Sequence, residues 1–156
     1  MSLSYRRGDA TAPVGAGHKI VVHICNDAGK WGKGFVLALS KRWSEPEVSY
    51  RAAFAGGGSL ALGDVQFVDV DTTITVANVV GQHGVARRGR SDVPIRYEAV
   101  RLGLRKVATR AAKDSASVHM PRIGTGLAGG NWAEIEPIIE ETLIASGVPV
   151  TVYDFG

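Results

Sequence analysis

The chain carries two glycine-rich loops. Each follows an apolar, strand-like run and leads into a helix-like one. The first lies in VVHICNDAGKWGKGFVLALSKRW, from Val21 to Trp43, and the second in VHMPRIGTGLAGGNWAEIEPIIEETL, from Val118 to Leu143. Glycine lets the backbone pass close to a ligand and adopt positive φ. Successive free N–H groups in such a loop, backed by a helix N-terminus, bind phosphate oxygens. One loop of this kind is common. Two within 156 residues predict two backbone cradles facing a single anionic ligand. The expectation is a phosphate- or diphosphate-binding α/β domain.

The order of elements agrees with that class. A short strand is expected at Leu3 to Arg6, ended by Gly8-Asp9, and the TAPVGAG segment after it is a loop broken by proline and glycine. Ile20 to Cys25 reads as a buried strand. Helix is predicted from Gly34 to Arg42 and again after Pro46 to Phe54, where Gly56, Gly57 and Gly58 end it. Val65 to Val70 and Thr73 to Val80 are rich in β-branched residues and form a predicted hairpin across Asp71-Thr72. GQHGVARRGRSD is a polar, basic loop. A long helix is expected from Pro94 to Asp114, with Tyr97, Val100, Leu104, Val107 and Ala111 on one face. Val118 to Met120 is a short strand. The final helix starts near Trp132 with a stripe of Ile135, Ile138, Ile139 and Leu143, and Val148 to Val152 is the last strand, with Tyr153 and Phe155 beyond it. Strands interleaved with helices, apart from one hairpin, predict a mixed sheet covered on both faces in a single domain, residues 1–156. In such sheets ligands sit beyond the carboxyl ends of the strands. Both glycine loops begin there.

GTGLAGG, starting at Gly124, also matches the G-x-G-x-x-G dinucleotide fingerprint, and Asp154 follows the next strand. A Rossmann site is therefore a rival reading. The unit lies late in the chain, with two residues after Asp154, and the motif recurs by chance among 20 glycines. Around the loops, Asn26 follows the buried strand. Its amide can donate and accept, as a sugar hydroxyl requires, or it can close an Asx-turn. Asp9 either caps a turn or accepts from an exocyclic amine. Tyr153 and Phe155 either stack on a base or close the core edge. Lys30 and Lys33 read as solvated, and Arg87, Arg88 and Arg90 as a solvated basic run or a contact for a modified target. His83 is the histidine expected in the active loop, whereas His18 and His119 read as structural or exposed and His23 lies in the buried strand.

Composition sets limits. Hydrophobic content of 45% and charged content of 21% are ordinary for a globular protein, and a net charge of +3 suits a small anion better than nucleic acid. The one cysteine, Cys25, lies in an apolar run, so neither a disulfide within the chain nor a cysteine zinc site is expected. No paired histidines have metal-ligand spacing, and no metal or other cofactor is expected. The opening MSLSYRRGDATAP lacks a signal-peptide core, and no run approaches the ~18 apolar residues of a membrane span. A cytoplasmic monomer without membrane contact is the expectation.

Taken together, HICNDAGKWGKGF, MPRIGTGLAGGNW, the opening RRGDAT and the closing TVYDF resemble macro domains over essentially the whole chain, in the family's order. Within the family the motifs resemble the subgroup of terminal ADP-ribose glycohydrolase and yeast ADP-ribose-1″-phosphate phosphatase. The resemblance implies a three-layer α/β/α fold with a mixed central sheet and binding of ADP-ribose, free or on modified proteins. It implies that Asp9 meets the adenine amine with Ala10 beside it, and that Asn26 contacts the distal ribose. Gly32, Gly34 and Phe35 would line the distal ribose and diphosphate. Gly124, Thr125, Gly126 and Leu127 would form the second diphosphate cradle, and Tyr153 and Phe155 would flank adenine. The match fails in part for catalysis. The glycohydrolase's aspartate position holds Ala128, and its lysine position falls near Gly81, Gln82 or His83. The expectation is a hydrolase acting on ADP-ribose esters of Glu or Asp through a bound water held by Asn26 and Gln82, with His83 as acid or base. A non-catalytic reader and a phosphatase for ADP-ribose-1″-phosphate are the alternatives.

Overall fold

In the computed structural model, which describes residues 3–85 and 93–155, six strands form one sheet. They are β1 (Leu3–Arg7), β2 (Lys19–Asn26), β3 (Val65–Asp71), β4 (Ile74–Gln82), β5 (Ser117–Met120) and β6 (Val150–Asp154), in the order β1-β6-β5-β2-β4-β3. Only β3 runs antiparallel to its neighbour. The helices are α1 (Phe35–Arg42), α2 (Glu45–Phe54), α3 (Tyr97–Asp114) and α4 (Trp132–Ile139).

Side chains alternate across the sheet, and this period of two builds the layers. Ile20 and Val22 of β2 join Ala77 and Val79 of β4 under α3 and α4, with Leu104, Val107, Ile135 and Ile139 packed on them. Val21 and Cys25 point the other way and join Val76, Leu39, Trp43 and Tyr50 under α1 and α2. The expected mixed α/β/α sandwich is thus present. Cys25 is buried in this core, and burial pushes its thiol up, out of the reactive range.

Most boundaries shift by a residue or two from the sequence reading, as β4 does in running on to Gln82, and three differences change the local structure. The long helix begins at Tyr97 rather than Pro94, because the chain is still extended at Ile95 and Arg96. Ile95 bridges Gln82, its N–H donates to Ala128 O at 3.1 Å, and Arg96 N–H donates to Gly81 O at 2.8 Å. This strap ties the end of β4 to the second glycine loop. The last helix changes pitch after Ile139 and continues as a π-turn over Glu140–Ile144, where Thr142 Oγ1 donates to Ile138 O at 2.6 Å. The last strand starts at Val150 and includes Tyr153, which pairs with Arg6 of β1 rather than standing beyond the sheet. Arg87, Arg88 and Arg90 lie outside the described residues.

Candidate functional site

The five segments that leave the carboxyl ends of the parallel strands meet in one crevice. β2 and β5 are neighbours, so the two glycine loops stand side by side. The first loop is held by Asn26, which is 5% exposed. Its Oδ1 accepts from Ala28 N at 2.9 Å and Lys30 N at 3.3 Å, and its Nδ2 donates to Lys30 O at 2.6 Å. The Tyr50 hydroxyl reaches both its backbone oxygen and its Oδ1 at 2.7 Å. Burial pushes Tyr50 up, so it stays a protonated donor. Beyond this knot the chain passes Gly32 and Gly34 at φ 89° and 82° and enters α1.

The second loop uses its glycines differently. A Cβ at Gly124 would lie 2.8 Å from Ile95 Cδ1, and one at Gly130 would lie 2.4 Å from Gly124 O. These two are glycines for close packing. A Cβ at Gly126 or Gly34 would meet nothing within 4 Å. Among the described residues, no hydrogen bond uses the N–H groups of Gly34, Phe35, Thr125, Gly126 or Leu127. The crevice is therefore a surface of free backbone donors at a helix N-terminus, the arrangement that binds anions.

Two cavities share this crevice. One, of about 290 Å³, runs between the glycine loops and is lined by His23, Lys33, Gln82 and Gly124 to Ala128. The other, of about 340 Å³, is lined by Asp9, Ala10, Ala38, Tyr153 and Phe155. Gly34, Phe35 and Pro121 line both. In the second chamber Asp9 Oδ1 accepts from Thr11 N at 2.8 Å and Thr11 Oγ1 at 2.7 Å, which leaves Oδ2 for a ligand. Tyr153 is buried. Its hydroxyl takes Val14 N–H at 3.0 Å and meets His119 Nδ1 at 2.7 Å, so only its ring serves the chamber. Phe155, 85% exposed, is free to fold onto a flat ligand.

Charge around the polar chamber comes from Lys33 and from Arg122. Arg122 is forked onto Asp154 at 2.6 and 3.0 Å and stacked over Tyr5 and Trp132. At the end of β4 a bulge sets Gln82 opposite Asn26 and leaves Gly81 over. Such bulges concentrate beside functional sites. Gln82 Nε2 donates to Gly84 O at 3.1 Å, while its Oε1 has no partner among the described residues. His83 Nδ1 lies 2.8 Å from Asp27 Oδ2, and Gly84 N–H donates to Asp27 Oδ1 at 2.8 Å. Burial pushes Asp27 up, but the Gly84 N–H and His83 outweigh it and hold the carboxyl below its ordinary range. It is thus an anion that orients the imidazole.

No family model matches the chain. A macrodomain protein of Streptomyces coelicolor has a solved structure that is 52% identical, with a TM-score of 0.86, over 99% of this chain and 100% of that one. The chain belongs to the macro domain family. Mouse chromodomain-helicase-DNA-binding protein 1-like is 36% identical over 99% of this chain, which spans 18% of that protein's length. The ADP-ribose 1″-phosphate phosphatase of Saccharomyces cerevisiae is 24% identical over 97% of this chain and 98% of its own.

Within this macro domain the expected ligand contacts divide by chamber. Asp9, Ala10, Tyr153 and Phe155 gather at one, Gln82, Gly124, Thr125, Gly126 and Leu127 at the other, and Gly34 and Phe35 between them. Gly32 is exposed in the first loop, and Asn26 lies beneath that loop with one amide hydrogen unspent. His83 lines neither cavity; it follows Gln82 and is paired with Asp27. Four residues at or beside the macro domain crevice were not placed there from sequence: Asp27 and Arg122 had no role, Lys33 was read as solvated, and His23 as part of the buried strand. Asp27 stood beside the marked Asn26, but its partner is 56 residues away in sequence. Ala128 is buried, and its carbonyl holds the strap through Ile95.

Proposed function

We propose that this macro domain binds ADP-ribose across both chambers and hydrolyses ADP-ribose from proteins modified through Glu or Asp esters. The observation that carries the reading is the pair of cavities with a common wall. One is an apolar slot with a free carboxylate oxygen and aromatic rings, suited to adenine. The other is lined by unpartnered N–H groups and two cations, suited to a diphosphate and a second ribose. The name of the yeast relative supports ADP-ribose as the ligand class.

For the chemical step, Asp27 holds Nδ1–H of His83 and leaves Nε2 as the acceptor. His83 takes a proton from water as the water oxygen attacks the ester carbonyl. It returns the proton to the departing ribose oxygen, giving free ADP-ribose and the side-chain carboxylate. Gln82 Oε1 and the remaining Asn26 amide hydrogen hold the water. Lys33 sits on the first loop and meets the diphosphate, so no lysine adduct enters the route.

The test presents glutamate-linked ADP-ribosylated protein and, separately, ADP-ribose-1″-phosphate, with binding followed by calorimetry. Release of ADP-ribose is expected from the first. His83→Gln and Asp27→Asn should each slow it about a hundredfold with binding nearly unchanged. Phosphate release from the second alone would make the protein a phosphatase. Tight binding without turnover would make it a reader, the reading that Ala128 at the acidic position favours. Comparable affinity for ADP-ribose, NAD and ATP would remove ADP-ribose as the ligand.

A further inference from the structure

His23 is the residue the proposed chemistry leaves unused. It lies in β2, is 2% exposed, and lines the polar chamber from within the core. Its ring stands edge-on to Trp31, with centroids 5.4 Å apart, and is tilted against Phe35. Its Nε2 lies 2.5 Å from Asn78 Oδ1. The Asn78 amide cannot be turned over, because its Nδ2 donates to Pro46 O at 3.0 Å and to Gln66 Oε1 at 3.1 Å. An oxygen therefore faces Nε2, and Nε2 must carry the proton. Cys25 Sγ, at 3.8 Å from the same nitrogen, is a weak partner beside the 2.5 Å contact with Asn78.

Nδ1 is then a bare lone pair. It is also the one buried side-chain nitrogen or oxygen, among the described residues, without a hydrogen-bond partner. Buried polar atoms are almost always satisfied, and leaving one unpaired is destabilising. Burial lowers the imidazole pKa to about 4, so the ring stays neutral and the lone pair available at ordinary pH.

We propose that His23 Nδ1 is a fixed hydrogen-bond acceptor in the floor of the polar chamber, built to receive an O–H group when the site is filled. The wall otherwise presents mainly backbone N–H groups and positive charge; Gln82 Oε1 and the Thr125 hydroxyl oxygen, whose proton goes to Arg122 O at 2.8 Å, are the further acceptors. A phosphate oxygen has no proton to offer Nδ1 and is repelled by it. The floor therefore accepts either a hydroxyl of the ligand's distal sugar or a water trapped beneath the diphosphate. It sets the depth at which the anion rides. This assignment rests on ADP-ribose as the ligand only for its second half. The protonation pattern of the free ring stands without it.

Nitrogen-15 spectra of the His23 imidazole test both halves. The free protein should show Nε2 protonated and Nδ1 bare from pH 6 to 8, and a protonated Nδ1 overturns the inference. Calorimetry first establishes whether ADP-ribose binds, which is the test of the function itself. If it does not bind, inorganic diphosphate takes its place as the ligand for the spectra. With a bound ligand, the Nδ1 resonance should move towards the hydrogen-bonded position. No movement at saturation overturns the inference. If ADP moves it as far as ADP-ribose does, the donor is water, and if only ADP-ribose moves it, the donor is the distal ribose. His23→Phe keeps the ring packing and removes the acceptor, and should weaken ADP-ribose binding about tenfold, whereas unchanged affinity in a folded variant counts against the assignment. Should that variant fail to fold, the spectra decide.

Discussion

At the scale of single residues, glycines that look equivalent in sequence do different work. Gly126 has ordinary φ and open space above it, so a side chain there is tolerated by the fold and fills the crevice. Gly126→Glu should cut binding of an anionic ligand by on the order of a hundredfold or more, through like charge at close range, with an unchanged melting temperature. Gly130→Ala should do the reverse. Its Cβ would meet a backbone oxygen that cannot swing away, for a loss of about 1–3 kcal/mol in urea unfolding. Equal effects of the two on stability would contradict this division. The spacing of glycines alone does not separate these roles. Asp9 was legible as a turn former, since its Oδ1 accepts from both Thr11 N and Thr11 Oγ1. Asn26 was legible as a turn former, and its buried position shows why little of its amide is left over. His23 was not legible as anything but core, because its tautomer is fixed by Asn78, which is 55 residues away.

Among the elements, periodicity located α3 well, since Val100, Leu104, Val107 and Ala111 are all buried on one face. Its start was misplaced because proline serves a helix's first turn and an extended strap equally well. The bridge from Ile95 to Gln82 decides between them, and that contact is long-range. The π-turn after α4 carries no period of its own. The end of α3 does make a local statement. Ser115 holds the left-handed conformation at φ 51°, the one described non-glycine residue with positive φ. Its N–H caps carbonyls of Ala111 and Ala112. Glycine adopts this geometry without a Cβ penalty. Ser115→Gly should therefore raise unfolding free energy by about 1 kcal/mol, measured by urea titration, and leave ligand binding as it was. A loss of stability would mean the serine side chain contributes more than its backbone costs.

For the molecule as a whole, two buried histidines couple folding to pH. His23 and His119 are both lowered to about 4, each by burial first, with Lys19 adding to the effect on His119. In the unfolded chain each titrates near 6.5. Between those values the unfolded state binds more protons, so stability is complete above pH ~6.5 and is lost as pH falls towards 4. The loss is at most ~3 kcal/mol per histidine. A stability profile flat from pH 7 to 4 would show that these rings are charged in the folded state. His119 sits between Ser117 Oγ and Tyr153 Oη, each 2.7 Å away, so acid would also loosen the tyrosine ring beneath the adenine-sized slot. The wall common to the two chambers carries one more consequence. Gly34, Phe35 and Pro121 are touched from both sides, so whatever occupies one chamber braces the boundary of the other. Two fragments joined by a short tether across that boundary present each other at effective concentrations in the millimolar range. Affinity would then reside in the join, and a molecule cut at the diphosphate would leave two halves that this protein holds only weakly.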